Sequence, residues 1–280
     1  MPAPGDTFLI GGDLPVNRLG LGTMSLTGPG TWGEPADKGE ALRVLRTAVE
    51  LGVNFLDTAD AYGPHVSERL IAEALHPYPA GLVIATKGGL TRQGPNRWAP
   101  CGRPEYLRQC TEMSLRRLRL DTIDLYHLHR VDPLVPLDDQ LGTLADLQRE
   151  GKIRHLGLSK VSIETIEAAR GLAEITTVQN AFNQQDRTSE DVLDYCTAHR
   201  IGFIPYRPLG KGRLAGPDPT APCDGTKATG GQLALSWLLH RSPVVIPIPG
   251  TSNATHLREN VQAGHLDLPG ALPATPASVV

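Results

Sequence analysis

Apolar and polar positions alternate along this chain in two rhythms. Short apolar, β-branched runs cover residues 16–24, 54–58, 82–87, 122–129, 153–159, 177–182, 201–208 and 244–249. Their length and composition predict strands. Between them lie longer stretches whose apolar residues recur three and four apart. In residues 40–51, Leu42, Leu45, Ala48 and Val49 fall at helical spacing, and Gly52 follows as a stop signal.

The strand-then-helix unit repeats eight times, the rhythm and size of an α/β chain folded as a (β/α)8 TIM barrel. The rival arrangement, a doubly wound open sheet, lacks its usual sign here: no G-x-G-x-x-G follows the first apolar run. The chain is expected to form a single domain over 1–280, with the barrel at about 16–263. Residues 8–17 read as two short strands around Gly11-Gly12-Asp13, a β-hairpin expected to cap the bottom of the barrel. The tail 264–280, rich in Pro, Gly and small residues, is expected to be poorly ordered.

Charge and composition remove several function classes. Across 280 residues, 27 Lys and Arg face 30 Asp and Glu, so no broad basic surface for nucleic acid is expected. No apolar run is long enough for a membrane span and no charged-then-apolar leader is visible, which makes a cytoplasmic protein the expectation. Cys101, Cys110, Cys196 and Cys223 are scattered without metal-like spacing and read as reduced thiols, so no metal is expected. A monomer or small homo-oligomer acting on a small molecule fits this balance.

In a TIM barrel, chemistry collects where strands end at the C-terminal rim. The second run ends in Asp57 and its loop carries Tyr62; the third ends in Lys87 and the fourth in His129. Each has an ordinary reading: a capping Asp, a packed loop Tyr, a solvated Lys, a core His. Together they make a coherent set. An ammonium aimed into a barrel mouth needs a counter-charge, which Asp57 can supply. A phenol beside that ammonium has its pKa lowered and can protonate an alkoxide, while a histidine polarises the carbonyl.

These residues lie in stretches that resemble the aldo-keto reductase superfamily. The stretches are Gly52-Val-Asn-Phe-Leu-Asp-Thr-Ala-Asp-Ala-Tyr-Gly63, Ala85-Thr-Lys87, Asp124-Leu-Tyr-His-Leu-His129, Gly157-Leu-Ser159 and Ile248-Pro-Gly-Thr251, in order along nearly the whole chain. The resemblance implies a catalytic tetrad of Asp57, Tyr62, Lys87 and His129, with His127 as the competing histidine two residues deeper. It further implies NADPH, with NADH less favoured, lying across the barrel top. Gly22 and Thr23 would approach its nicotinamide ribose, Ser159 and Gln179 its carboxamide (Asn180 nearby), and Tyr206 would stack on the ring. Residues 208–212, with Leu209 and Gly210, would follow the pyrophosphate; Gly250 and Thr251 would open the adenosine site, and Glu259 and Asn260 would contact adenine.

Two positions depart from the family pattern. Lys160 stands where Asn usually follows the serine of the fifth strand, and the 2′-phosphate region offers only Ser252, Asn253, His256 and Arg258. Within the superfamily, Gly28-Pro-Gly30, Tyr62-Gly-Pro-His-Val66 and Pro249-Gly-Thr-Ser252 look most like the bacterial pyridoxal reductase group, which implies reduction of pyridoxal to pyridoxine. The substrate pocket is expected to use Met24, Trp32, Trp98 and Arg130, with Trp32 and Trp98 as apolar walls and Arg130 and Arg207 meeting any anionic substituent. Two other functions share the fold: a nucleotide-sensing barrel subunit without significant turnover, and a Schiff-base aldolase with Lys87 as nucleophile.

Overall fold

A computed structural model describes residues 7–216 and 228–266. Cys223 and most of the tail, residues 267–280, lie outside the described residues.

The chain opens with an antiparallel hairpin, β1 (Thr7–Ile10) and β2 (Leu14–Asn17). Gly11 and Gly12 adopt positive φ at its turn. A parallel sheet follows: β3 (Leu21–Gly22), β4 (Phe55–Asp57) and β5 (Val83–Gly88) form its first part. A short second hairpin, β6 (Leu90–Arg92) with β7 (Trp98–Pro100), rises from the end of β5. The sheet continues through β8 (Ile123–Leu128), β9 (Ile153–Ser159), β10 (Ile175–Gln179) and β11 (Gly202–Phe203). Its order is β11-β10-β9-β8-β5-β4-β3.

The helices are α1 (Lys38–Glu50), α2 (Val66–Leu75), α3 (Pro104–Leu118) and α4 (Leu137–Arg149). They continue as α5 (Ile163–Arg170), α6 (Glu190–His199), α7 (Gly230–Arg241) and α8 (Ala254–Gln262). Local chemistry sets their ends. The Asp37 side chain accepts from Glu40 N to start α1, and Thr229 and Gln232 form a reciprocal capping box at α7. Helix α1 buries Ala41, Val44, Leu45 and Ala48, so its core face is rotated slightly from the predicted stripe and leaves Leu42 and Val49 half-buried.

The eighth strand is the informative difference. Residues 244–249 close the barrel without forming a regular ladder, because Pro247 and Pro249 have no N–H to give. The seam is held by Phe203 N to Val244 O and Ile246 N to Phe203 O, both 2.8 Å. On the other side Gly20 N reaches Pro247 O at 3.0 Å and Gly22 N reaches Pro249 O at 3.3 Å. The predicted first strand, 16–24, also divides: Val16 and Asn17 finish the hairpin, Leu21–Gly22 enters the barrel, and Met24–Leu26 is a 3-10 turn. The fold is a (β/α)8 barrel with an N-terminal hairpin beneath it.

Strand parity divides the core. Ile10, Leu14 and Val16 of the hairpin pack with Phe55, Val83, Ala85, Leu125, Ile204, Ile246 and Ile248 inside the bottom of the barrel. The alternate residues of the same strands, such as Leu56 and Ile84, face the helices. A side chain two residues beyond Val83 and Ala85 on β5 therefore points inward at the top, and that residue is Lys87.

Candidate active site

Three neighbouring strands deliver their terminal polar side chains to one point. Asp57 ends β4, Lys87 lies near the end of β5, and His129 follows β8. Lys87 is fully buried, Asp57 is 2 % exposed, and both Tyr62 and His129 are 7 % exposed. Burial on this scale is affordable only with close partners. Lys87 Nζ donates to Asp57 Oδ1 at 2.7 Å, to Thr58 O at 2.7 Å, and points to Tyr62 Oη at 3.5 Å. Its three N–H bonds thus meet a carboxylate, a carbonyl and a phenol. Gln179 Nε2 holds the other Asp57 oxygen at 2.8 Å.

Electrostatics follow from this packing. Burial by itself would lower the Lys87 pKa, but the Asp57 carboxylate and the Tyr62 phenol outweigh it and hold the amine charged. A charged amine is not a nucleophile, which counts against the Schiff-base alternative. The Tyr62 phenol departs from expectation: burial raises its pKa, and the Lys87 ammonium offsets that only in part. The phenol therefore stays protonated at neutral pH. Burial, followed by the nearby charge of Lys87, pushes His129 well down, so its imidazole is neutral.

The histidines separate cleanly. His127 is fully buried one layer below the mouth, with Nε2 3.0 Å from Thr177 Oγ1. Gly157 makes that contact possible, since a Cβ there would sit 2.3 Å from Thr177 Oγ1 and 2.4 Å from the His127 ring. His129 instead stands beside Tyr62, with ring centroids 6.0 Å apart, and its buried Nδ1 has no partner among the described residues.

Other expected site residues are distributed around the same rim. Gly22 pairs with Asp57 across β3 and β4 and bridges to Gly250; a Cβ on Gly250 would lie 2.7 Å from Ser25 Oγ and 2.9 Å from Gly22 O. Ser159 ends β9 and Tyr206 bridges to Ala181, half-buried at the mouth. Asn180 is turned away, with Oδ1 accepting from Val161 N and Nδ2 donating to Val161 O. Thr23 also departs from its expected place. It is fully buried, its hydroxyl donates to Asp57 O and accepts from Ser67, and its N–H and carbonyl are bonded as well.

Leu209 and Gly210 open a 3-10 turn over Gly210–Ala215, in which Gly210, Lys211 and Gly212 have positive φ. The Gly210 and Gly212 N–H groups are already taken, by Arg207 O and Leu209 O. At α8 the first amides are likewise partnered: Ala254 N by Glu40 Oε1, and Thr255 N and His256 N by the Asn253 cap. Thr251 Oγ1 accepts from Asn253 N, while Glu259 and Asn260 lie farther along α8.

Met24 and Trp32 are exposed at 44 % and 37 %, and Arg130 is half-buried beside His129. Trp98, carried by β7, lies 6.5 Å from Tyr62 at an interplanar angle of 88° and 6.3 Å from His129. Arg92 of β6 was not foreseen; its guanidinium lies 3.5 Å from the Trp98 ring centroid. The clue in the sequence was the turn-forming Gly94-Pro95-Asn96 between two short alternating runs.

Comparison with known proteins agrees with this geometry. The chain matches the model described as the Aldo/keto reductase family over residues 18–229 and 223–271. An uncharacterised oxidoreductase of Schizosaccharomyces pombe is 51% identical over 260 residues, covering 92% of this chain and 84% of that protein. Pyridoxine 4-dehydrogenase of Escherichia coli is 41% identical over 270 residues, covering 94% of each. The structure of an aldo-keto reductase from Klebsiella pneumoniae in complex with NADPH superposes with a TM-score of 0.80 at 26% identity, over 95% of this chain and 92% of that one.

Proposed function

Since this chain belongs to the aldo/keto reductase family, an NAD(P)H-dependent oxidoreductase is the premise, and we propose that it reduces an aldehyde or ketone with NADPH, using Tyr62 as proton donor. The observation that carries this reading is the buried Lys87 ammonium, which joins Asp57 to the Tyr62 hydroxyl. Pyridoxal, reduced to pyridoxine, is the proposed substrate; the relative named pyridoxine 4-dehydrogenase supports it.

A dinucleotide at the mouth is supported by the buried His129 Nδ1, a polar atom with no partner among the described residues. Ser159, Gln179 and Tyr206 would hold the carboxamide and ring. The 208–212 turn would lie along the pyrophosphate, and Ser252, His256, Arg258, Glu259 and Asn260 would face the adenosine half. The NADPH-bound relative supports the choice of the phosphorylated form. When bound, NADPH supplies the hydride.

Tyr62 holds its proton because burial keeps the phenol neutral. As negative charge develops on the substrate oxygen, Tyr62 Oη passes that proton across, and Lys87 stabilises the phenolate left behind. Asp57 keeps Lys87 charged, and Gln179 steadies Asp57. His129, neutral, orients the carbonyl oxygen by a hydrogen bond without competing for the proton. Trp98 and Trp32 wall the pocket against water.

The test is a panel of aldehydes and ketones, pyridoxal included, mixed with NADPH or NADH while cofactor absorbance is followed. Saturable NADPH oxidation with at least one carbonyl compound is the expected result. NADPH binding without turnover across the panel would overturn the reading in favour of a sensor.

A further inference from the structure

Arg92 has more hydrogen bonds to backbone than any other side chain around the mouth, and nothing in the proposed chemistry uses it. Its Nε donates to Arg97 O at 3.2 Å. Nη1 donates to Thr31 O and Ala61 O, both at 2.6 Å, and Nη2 to Gly30 O at 3.0 Å and Gly94 O at 3.2 Å. A guanidinium has five N–H donors, and here five carbonyls receive them. No carboxylate pairs with it among the described residues, and partial burial lowers its pKa. So many backbone partners without a counter-ion mark a structural fork.

What the fork joins matters. Gly30 and Thr31 belong to the loop after β3, Ala61 immediately precedes Tyr62 in the loop after β4, and Gly94 and Arg97 lie in the turn between β6 and β7. These are three separate crossings of the barrel mouth. The flat guanidinium also covers the Trp98 ring at 3.5 Å and lies 5.5 Å from Trp32. The edge-to-face geometry then continues inward, from Trp98 to Tyr62 and His129.

We propose that Arg92 is the positioning residue of this mouth, fixing Trp98 against Tyr62 and His129 so that a flat aromatic carbonyl compound is held in register for reduction. The proposal rests on the reductase reading of the site. Arg92 is placed to touch neither substrate nor cofactor; it acts through Trp98. Lysine cannot replace it, because an ammonium has three donors and no planar face to lay on an indole.

The experiment compares wild type, R92K, R92M, W98A and the double variant R92M/W98A, using benzaldehyde and propanal as substrates and a fluorescence titration of NADPH binding. For R92M, kcat/KM with benzaldehyde falls about tenfold or more, mostly through KM, and the loss is several times larger than with propanal. R92K stays nearer to R92M than to wild type, and NADPH affinity stays within about twofold. In the W98A background, R92M adds little, since Trp98 is the group it positions. Equal losses for both aldehydes, fully additive effects, or R92K indistinguishable from wild type would each overturn the proposal. If R92M is not recovered folded, the R92K comparison decides the matter alone. Wild type inactive on both aldehydes and on every other carbonyl compound would instead sink the reductase reading, a result readable before any variant is made.

Discussion

The two ends of this barrel are built from the same strands to opposite specifications. At the bottom, Phe55, Val83, Ala85 and Leu125 pack under Ile10, Leu14 and Val16 in an apolar plug. Two to four residues later, on the same inward line, come Asp57, Lys87, His127 and His129. Parity carries both sets to the barrel axis, so only position along the strand separates insulation from chemistry. The difference teaches that stability and reactivity are segregated along the axis, as the family of barrels permits.

Removing the phenol should break the upper set most severely. Tyr62→Phe is expected to lower carbonyl reduction by about 10²–10⁴-fold, the usual worth of a positioned general acid. NADPH affinity should stay within about twofold, measured by fluorescence titration. Retention of a tenth of wild-type kcat would remove Tyr62 from its role.

Lys87→Met tests whether the top is also a structural liability. It leaves Asp57 buried with only Gln179 as partner, at an expected cost of about 3–5 kcal/mol in addition to a large loss of kcat. Adding Asp57→Asn should recover part of the stability but none of the activity. Denaturant titration and steady-state kinetics on the same samples separate the two effects.

Ile10→Ala probes the lower plug. It should cost about 2–5 kcal/mol of stability while kcat/KM stays within about threefold. A comparable loss of activity would mean that the plug and the mouth are coupled and that stability and reactivity are not segregated along the axis.

The gentlest prediction concerns Asp60, buried in the loop after β4 beside Glu68 and Cys110. Burial, followed by the charge of Glu68, raises its pKa to about 7, and its Oδ1 has no partner among the described residues. The folded state therefore binds a proton that the unfolded chain releases near pH 4. Its contribution to stability is fully present below that point and is lost as pH rises toward 7. Asp60→Asn should then gain stability relative to wild type across this window, on the order of 2–4 kcal/mol by pH 8, seen as a growing difference in Tm. A pH-independent difference would refute the assignment.

Much of this architecture was legible from residue patterns because barrel strands are short and fully buried, so their apolar runs stand out against amphipathic helices. The convergence of Asp57, Lys87 and His129 followed from their place at strand ends. What escaped lies where backbone conformation, not side-chain polarity, decides. The eighth strand is interrupted by Pro247 and Pro249, which apolar periodicity cannot register. Thr23 looked like a rim residue, yet its hydroxyl turns down to Asp57 O and Ser67. Arg92 reads in sequence as an ordinary loop cation, because its partners are carbonyls from 30, 31, 61, 94 and 97 that no spacing rule gathers.

The proline-interrupted closure gives the cylinder a zip. The seven strands from β3 to β11 are joined by paired ladders, but residues 244–250 hang between β11 and β3 by isolated bridges. Transient parting should therefore begin there, with the Ile246 and Gly22 amides trading their hydrogens for deuterium well before those of β5 and β8. Because Gly22 also pairs with Asp57, a parting on that side is one strand away from the carboxylate that holds the Lys87 charge, so the barrel's weakest seam borders its most costly buried pair.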